Sequence, residues 1–222
     1  RSTINDQRST INDQRSTNRG YRMQNVQSTS MTLPQAVADR IAGDSLLRGA
    51  LIVVTGTLLL ALSAQLAIPI PFSPVPMTLQ PLALLLIGAA FGPARAAATA
   101  TLYLLEGAAG LPVFAFGQGG IAYLLGPTAG YLFAFPLAAA IAGWAASRGW
   151  TRNPISTIPG MALALAVIHA GGWSWLTAAM GLAPAAAFTA GVLPFLVADG
   201  VKLALAAVLL PAAEWIVSRF GR

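Results

Sequence analysis

From Arg48 to Arg95, and again from Arg152 to Asp199, no residue of this chain is charged; between Arg95 and Arg148 only Glu106 is. A membrane-crossing helix needs about 20 predominantly apolar residues, within a range near 17–25. Each uncharged run is long enough for more than one such helix. Charged residues make up 9% of the chain and hydrophobic ones 56%, whereas a soluble domain carries about 25% charged residues. So much apolar surface has to be covered by lipid, and the fold class is all-α and polytopic.

Proline and glycine divide the runs. The spans fall at about 48–68, 78–91, 94–110, 127–147, 159–180 and 185–217, with Gly92-Pro93 separating the second from the third. Joining those two into one bent span would bury Arg95 in lipid, which is costly, so six helices is the expected count. Arg40, Arg48, Arg95, Arg148, Arg152, Arg219 and Arg222 then all fall on one side of the membrane. Basic residues in short loops mark the cytoplasmic side, which puts both termini inside. The outer connections are about 69–77, 111–126 and 181–184, and none carries a charge.

Residues 1–30 read differently. The heptad RSTINDQ occupies Arg1 to Gln7, repeats from Arg8 to Gln14, and begins a third time at Arg15. It has no apolar face, and a repeat that short cannot bury a core by stacking. The segment is expected to be a disordered leader or an added, non-native repeat. It is not a signal peptide, because no apolar stretch precedes a small-residue cleavage site. The folded domain is expected over residues 31–222, starting at Met31 or Met23, with a short interfacial helix from Thr32 to Ala42. The formal charge of +6 owes much to the leader. Taking its five arginines and two aspartates away from thirteen basic and seven acidic residues leaves eight and five. No basic stripe is interleaved with aromatics, so nucleic acid is excluded as a partner. One histidine and no cysteine argue against a multi-histidine metal site and rule out disulfides.

Three features stand above the apolar background. Asp199 and Lys202 lie three residues apart inside the sixth helix, on one face. Such a pair is either a structural ion pair or the polar floor of a ligand pocket; intramembrane charges suggest function by default. As a floor, Lys202 would hold an anion such as a carboxylate and Asp199 would accept N–H donors. The second feature is the outer segment 111–131, LPVFAFGQGGIAYLLGPTAGY. Phe114, Phe116, Tyr123 and Tyr131 supply flat apolar walls, Gln118 and Thr128 polar groups, and Gly119 and Gly120 close backbone approach. Irregular backbone at membrane depth survives only when buried in protein or lining a cavity, so the segment is an inert re-entrant connection or a pocket wall. Its GxGG string follows no strand, which excludes a dinucleotide site. The third is IPIPFSPVPMTLQP, residues 68–81, whose prolines make a stiff extended segment suited to a lid, a pocket rim that includes Gln80, or a rigid surface turn.

Other polar groups read more plainly. His169, beside Gly171-Gly172, is expected to be a hydrogen-bonded packing histidine, Glu106 to reach interfacial water, and Gln65 to line the cavity or bond to a neighbouring helix. The tryptophans suit interfacial anchoring. Small residues recur throughout and permit close helix packing, within the chain or against a partner. No glycine-flanked serine accompanies the lone histidine, which argues against an intramembrane enzyme. A water-filled channel would carry more polar lining.

The runs SPVPMTLQPLALLLIGAAFGPARAA, LYLLEGAAGLPVFAFGQGGIAYLLGPTAGYL and PFLVADGVK resemble the BioY family, the biotin-specific substrate-capture (S) components of energy-coupling-factor (ECF) transporters. The likeness extends from about Leu46 to Leu210 in matching order. It implies a six-helix bundle in the bacterial cytoplasmic membrane, with high-affinity biotin binding near the outer face and no cofactor. It also implies a transmembrane coupling protein and ABC-type ATPases as partners, and leaves a homo-oligomer open. The chain has no GxxxxGK phosphate loop, so ATP would be hydrolysed by another subunit and this chain would be no enzyme. By the resemblance, Asp199, Lys202 and the segment from Phe114 to Tyr131 contribute to the ligand site. Gln118 stands where relatives often carry another small polar residue. S components often dock through an Ala-xxx-Ala pattern on the first helix, for which Thr57-xxx-Ala61 is the nearest match.

Overall fold

The computed structural model describes residues 45–220, so the repeat of residues 1–30 and the Thr32–Ala42 helix lie outside the described residues. The uncharged runs are helical, and the breakers fall where proline and glycine place them. Helix α1 spans Ser45–Gln65. A two-residue antiparallel hairpin, β1 (Ala67–Ile68) and β2 (Met77–Thr78), closes the proline-rich segment and pairs Ala67 with Thr78 and Ile68 with Met77. Helix α2 (Gln80–Phe91) and helix α3 (Pro93–Ala108) follow, separated by Gly92 at φ 79°. A tight turn at Ala115–Gly117 and the single-turn helix α4 (Ile121–Leu124) lead into α5 (Ala129–Ser147). A second tight turn, Trp150–Arg152, leads into α6 (Pro154–Ala178), and α7 (Pro184–Gly191) and α8 (Leu193–Phe220) complete the described chain.

Three segments are long and apolar enough to cross a membrane by length and composition: Ala129–Ser147, Pro154–Ala178 and Pro184–Arg219. Gly49–Gln65 and Gln80–Phe91 are shorter apolar helices. At 1.5 Å per residue, the 12 residues of α2 reach roughly 18 Å, well short of a hydrocarbon core about 30 Å thick.

The sequence predicts one sixth helix over 185–217, but the structure breaks it at Val192, with φ −121° and ψ −57°. Pro194 has no N–H, and its ring crowds the preceding turn. Phe195 N consequently turns back to Val192 O at 3.1 Å, and the Gly191 carbonyl accepts instead from Tyr131 Oη at 2.6 Å. The break therefore ties the end of α7 to α5 through a side chain.

Helix α5 packs against α2, α3 and α6, and small residues let their backbones close in. A Cβ at Gly130 would collide with the Gly171 carbonyl, and one at Gly171 would lie 2.5 Å from the Gly130 carbonyl and 2.8 Å from Ala134 Cβ. In lipid, where the hydrophobic effect gives helices little reason to associate, such contact is a main source of attraction. Thr57 packs inward as well. It is 1% exposed and donates to Glu106 Oε1 at 3.1 Å. Of the Thr57-xxx-Ala61 pair expected to dock a partner, Thr57 is thus turned inward, while Ala61 is half-buried. Glu106 has a protein partner at the same contact, which interfacial water alone does not describe.

Gly171→Val is expected to overpack the α5–α6 crossing by about 1–3 kcal/mol and to lower the thermal midpoint of the detergent-purified protein. Gly49→Ala meets open space and is expected to leave the midpoint unchanged or raised. Equal midpoints for Gly171→Val and the parent would contradict the backbone contact.

Candidate functional site

Helices α2, α5, α6 and α8 and the two irregular segments enclose a cavity of roughly 590 Å³, counting space continuous with the surface. Small-molecule sites combine apolar walls with a few polar groups, and this lining has that make-up. Val75, Pro76 and Thr78 come from the proline-rich segment, with Gln80 and Pro81 from the start of α2. Phe114, Ala115, Tyr123 and Thr128 come from the 111–131 segment, and Tyr131, Leu132 and Phe135 from α5. Leu165, Ile168 and His169 line it from α6, and Phe195, Asp199 and Lys202 from α8.

Its polar floor is a three-residue network. Asp199 and Lys202 are 7% and 5% exposed, too buried for water to screen their charges. Lys202 Nζ donates to Asp199 Oδ1 at 2.9 Å, across one helical turn. His169 Nε2 lies 2.5 Å from Asp199 Oδ2. An ionised carboxylate only accepts hydrogen bonds, so the imidazole donates through Nε2. Each Asp199 oxygen thus has a donor, one from its own helix and one from α6. Lys202 keeps two further N–H donors for a ligand.

The opposite wall is aromatic and braced from behind. Phe114 sits on Gly107 so closely that a Cβ there would collide with its ring. Its ring meets Tyr103 edge-on at 5.5 Å and stacks on Tyr123 at 5.2 Å. Tyr103 links three segments: Gln80 Nε2 donates to its hydroxyl at 2.7 Å, and that hydroxyl donates to Val113 O at 2.8 Å. Gln80 Oε1 accepts from Thr78 Oγ1 at 3.2 Å. Burial pushes the Tyr123 hydroxyl above its ordinary pKa, so it stays protonated and able to donate near neutral pH.

Gln65 fastens the turn behind Phe114. Its Nε2 donates to Phe114 O at 3.1 Å and its Oε1 accepts from Gly117 N at 2.9 Å. Between these anchors Phe116 adopts φ 59° and ψ 29°, a left-handed conformation that costs an L residue about 1–2 kcal/mol. The Gln65 clamp holds that turn in place.

Of the residues singled out by sequence, Asp199, Lys202, Gln80, Phe114, Thr128 and Tyr131 line this one cavity. Gln118, Gly119 and Gly120 do not. Gln118 is exposed and its backbone closes the turn, with its carbonyl accepting from Phe114 N at 2.9 Å. Gly119 passes so close to Leu111 O that a side chain would collide, and Gly120 turns at φ 89° while donating to Gly107 O at 2.6 Å. These glycines shape the wall and stand behind its lining. His169 is hydrogen-bonded and packed on Tyr131 and Phe195, as expected, but it also lines the cavity, where it holds Asp199. As the one histidine of the chain, in a run without charges, it carried a signal. Which way it faces was not readable from spacing.

A family model described as the BioY family matches residues 29–219. The chain belongs to the BioY family. A relative from Pyrococcus horikoshii, a probable biotin transporter BioY, is 42% identical over 151 residues, 68% of this chain and 86% of that one. The biotin transporter BioY of Rhodobacter capsulatus is 37% identical over 164 residues, 69% of this chain and 85% of that one. Among solved structures, the S component for biotin from an ECF-type ABC transporter superposes with a TM-score of 0.70. At 23% identity it covers 78% of this chain and 94% of its own, and it supports the fold.

Removing one partner of a buried ion pair costs about 3–5 kcal/mol, because the other charge is left uncompensated. Lys202→Met is expected to destabilise the ligand-free protein by that order. Lys202→Met combined with Asp199→Asn is expected to cost clearly less than the two single losses added together, as read by denaturant or thermal unfolding. Additive losses would contradict the pairing.

Proposed function

We propose that this protein is the biotin-capturing S component of an ECF-type vitamin transporter. A BioY-family chain is a transporter subunit and not an enzyme. The observation that carries the ligand reading is a carboxylate, an ammonium and an imidazole facing an aromatic wall across one cavity. Biotin has an apolar bicyclic body, a ureido group with N–H donors and a carbonyl acceptor, and a carboxylate tail. Phe114, Tyr123 and Phe195 suit the body, Asp199 the N–H donors, and Lys202 the carboxylate or the carbonyl. Thr128, Tyr131 and Gln80 complete the contact surface. The names of the relatives from Pyrococcus horikoshii and Rhodobacter capsulatus support the choice of biotin.

In this reading α1, α2, α3, α5, α6 and the α7–α8 pair are the six spans, and both termini face the cytoplasm. Arg95, Arg148, Arg152 and Arg219 then share the inner side. The cavity draws on the 68–81 and 111–131 segments and on the N-terminal parts of α5 and α8, so biotin enters from the outer face of a bacterial cytoplasmic membrane. Import requires a transmembrane coupling protein and ABC-type ATPases, since this chain carries no phosphate-binding loop of its own.

Titrating the detergent-purified protein with biotin and with a panel of other vitamins tests this. Saturable, high-affinity binding of biotin alone is expected, weakened about tenfold or more by Asp199→Ala and by Lys202→Ala, as for a lost hydrogen bond to a charged group. Binding of another vitamin in place of biotin would overturn the ligand. Parent-like affinity in both variants would overturn the site.

A further inference from the structure

We propose that His169 is a positioning residue of the binding site, donating through Nε2 to aim the Asp199 carboxylate at the ligand. The inference rests on the biotin-capture reading for the identity of the ligand, and on geometry for everything else.

Asp199 is an acceptor on both oxygens, so the Nε2 atom facing it carries the proton. The other ring nitrogen, Nδ1, is buried and is the one buried side-chain polar atom without a hydrogen-bond partner among the described residues. The contact to Asp199 is therefore what orients the ring's polar edge among the described residues. Asp199 and Lys202 face it from α8, already paired at 2.9 Å. Tyr131 from α5 and Phe195 from α8 pack on it at 6.3 and 6.1 Å between ring centres.

The arrangement has a consequence for recognition. The Lys202 contact lies on Asp199's own helix, so alone it leaves the carboxylate free to swing with the lysine. His169 reaches Oδ2 from α6 and fixes the plane of the carboxylate between two helices. The two oxygens retain acceptor sites in a fixed direction, as a ligand with paired N–H donors requires.

The test uses the full chain, purified without a histidine tag and labelled with 15N-histidine, so that its one histidine is the one ring observed. The signals are expected to report a ring protonated at Nε2, changed by Asp199→Leu and by biotin. Biotin affinity is expected to fall about ten- to hundredfold in His169→Leu. His169→Gln, which offers an amide N–H near the Nε2 position, should recover most of that loss. In the double variant with Asp199→Asn the losses should fall short of the product of the single ones, as for residues acting through one another. A ring protonated at Nδ1 and not at Nε2, or signals indifferent to Asp199→Leu, would overturn the proposal even if a leucine variant failed to fold. Parent-like biotin affinity in His169→Leu would overturn it equally. A parent chain that ignores biotin sinks the ligand reading, while the ring signals still decide the Nε2 proton and the Asp199 contact.

Discussion

A carboxylate held away from water needs donors on both oxygens, and in this protein that need organises the cavity end of the bundle. Asp199 receives Lys202 from one turn along α8 and His169 from α6. An unpaired charge at such depth would cost several kcal/mol. The network therefore fixes how α8 lies against α6. A pair that served stability alone would gain little over well-packed apolar residues. It lines a cavity with donors to spare on Lys202, which is the ground for the proposed role in recognition.

The rest of the site follows from satisfying irregular backbone where water is scarce. The break at Val192 releases the Gly191 carbonyl, and Tyr131 takes it up while its ring lines the cavity. The turn at Ala115–Gly117 is held by Gln65, and the carbonyl of Val113 by Tyr103. Tyr103 in turn receives Gln80, so the two irregular segments and α2 meet at one buried hydroxyl. Helices α1 and α3 contribute no lining residue, but they supply these braces. Glycines complete the scheme by letting rings and carbonyls close to contact distance, as Phe114 does on Gly107 and Gly130 on Gly171.

Much of this was legible in the sequence, because in a membrane charge is scarce and so informative. The uncharged runs located the helices, and Gly92-Pro93 divided α2 from α3 as expected. Asp199 and Lys202 stood out for the same reason, and Phe114, Thr128, Tyr131 and Gln80 stood in segments whose composition suited a wall or rim. What escaped the sequence was facing, which depends on helix rotation. Nearly uniform apolar composition along α6 leaves little moment from which to read that His169 turns its ring to the cavity. Gln118, Gly119 and Gly120 were drawn to the site by residue type, whereas their backbone builds the turn that carries Phe114. The break at Val192 had its signal in Pro194, but proline inside a membrane helix is tolerated often enough that it did not divide the span.

BioY membership and the site geometry support the proposed account, in which a polar trio grips a small ligand against an aromatic wall. The most direct measurement is a structure of this chain determined in the presence of saturating biotin. The account expects the ligand between Phe114 and the Asp199–Lys202–His169 floor, with a polar end within about 3.2 Å of Asp199 or Lys202. Biotin bound elsewhere on the protein, or oriented with only its apolar ring edge toward that floor, would contradict it.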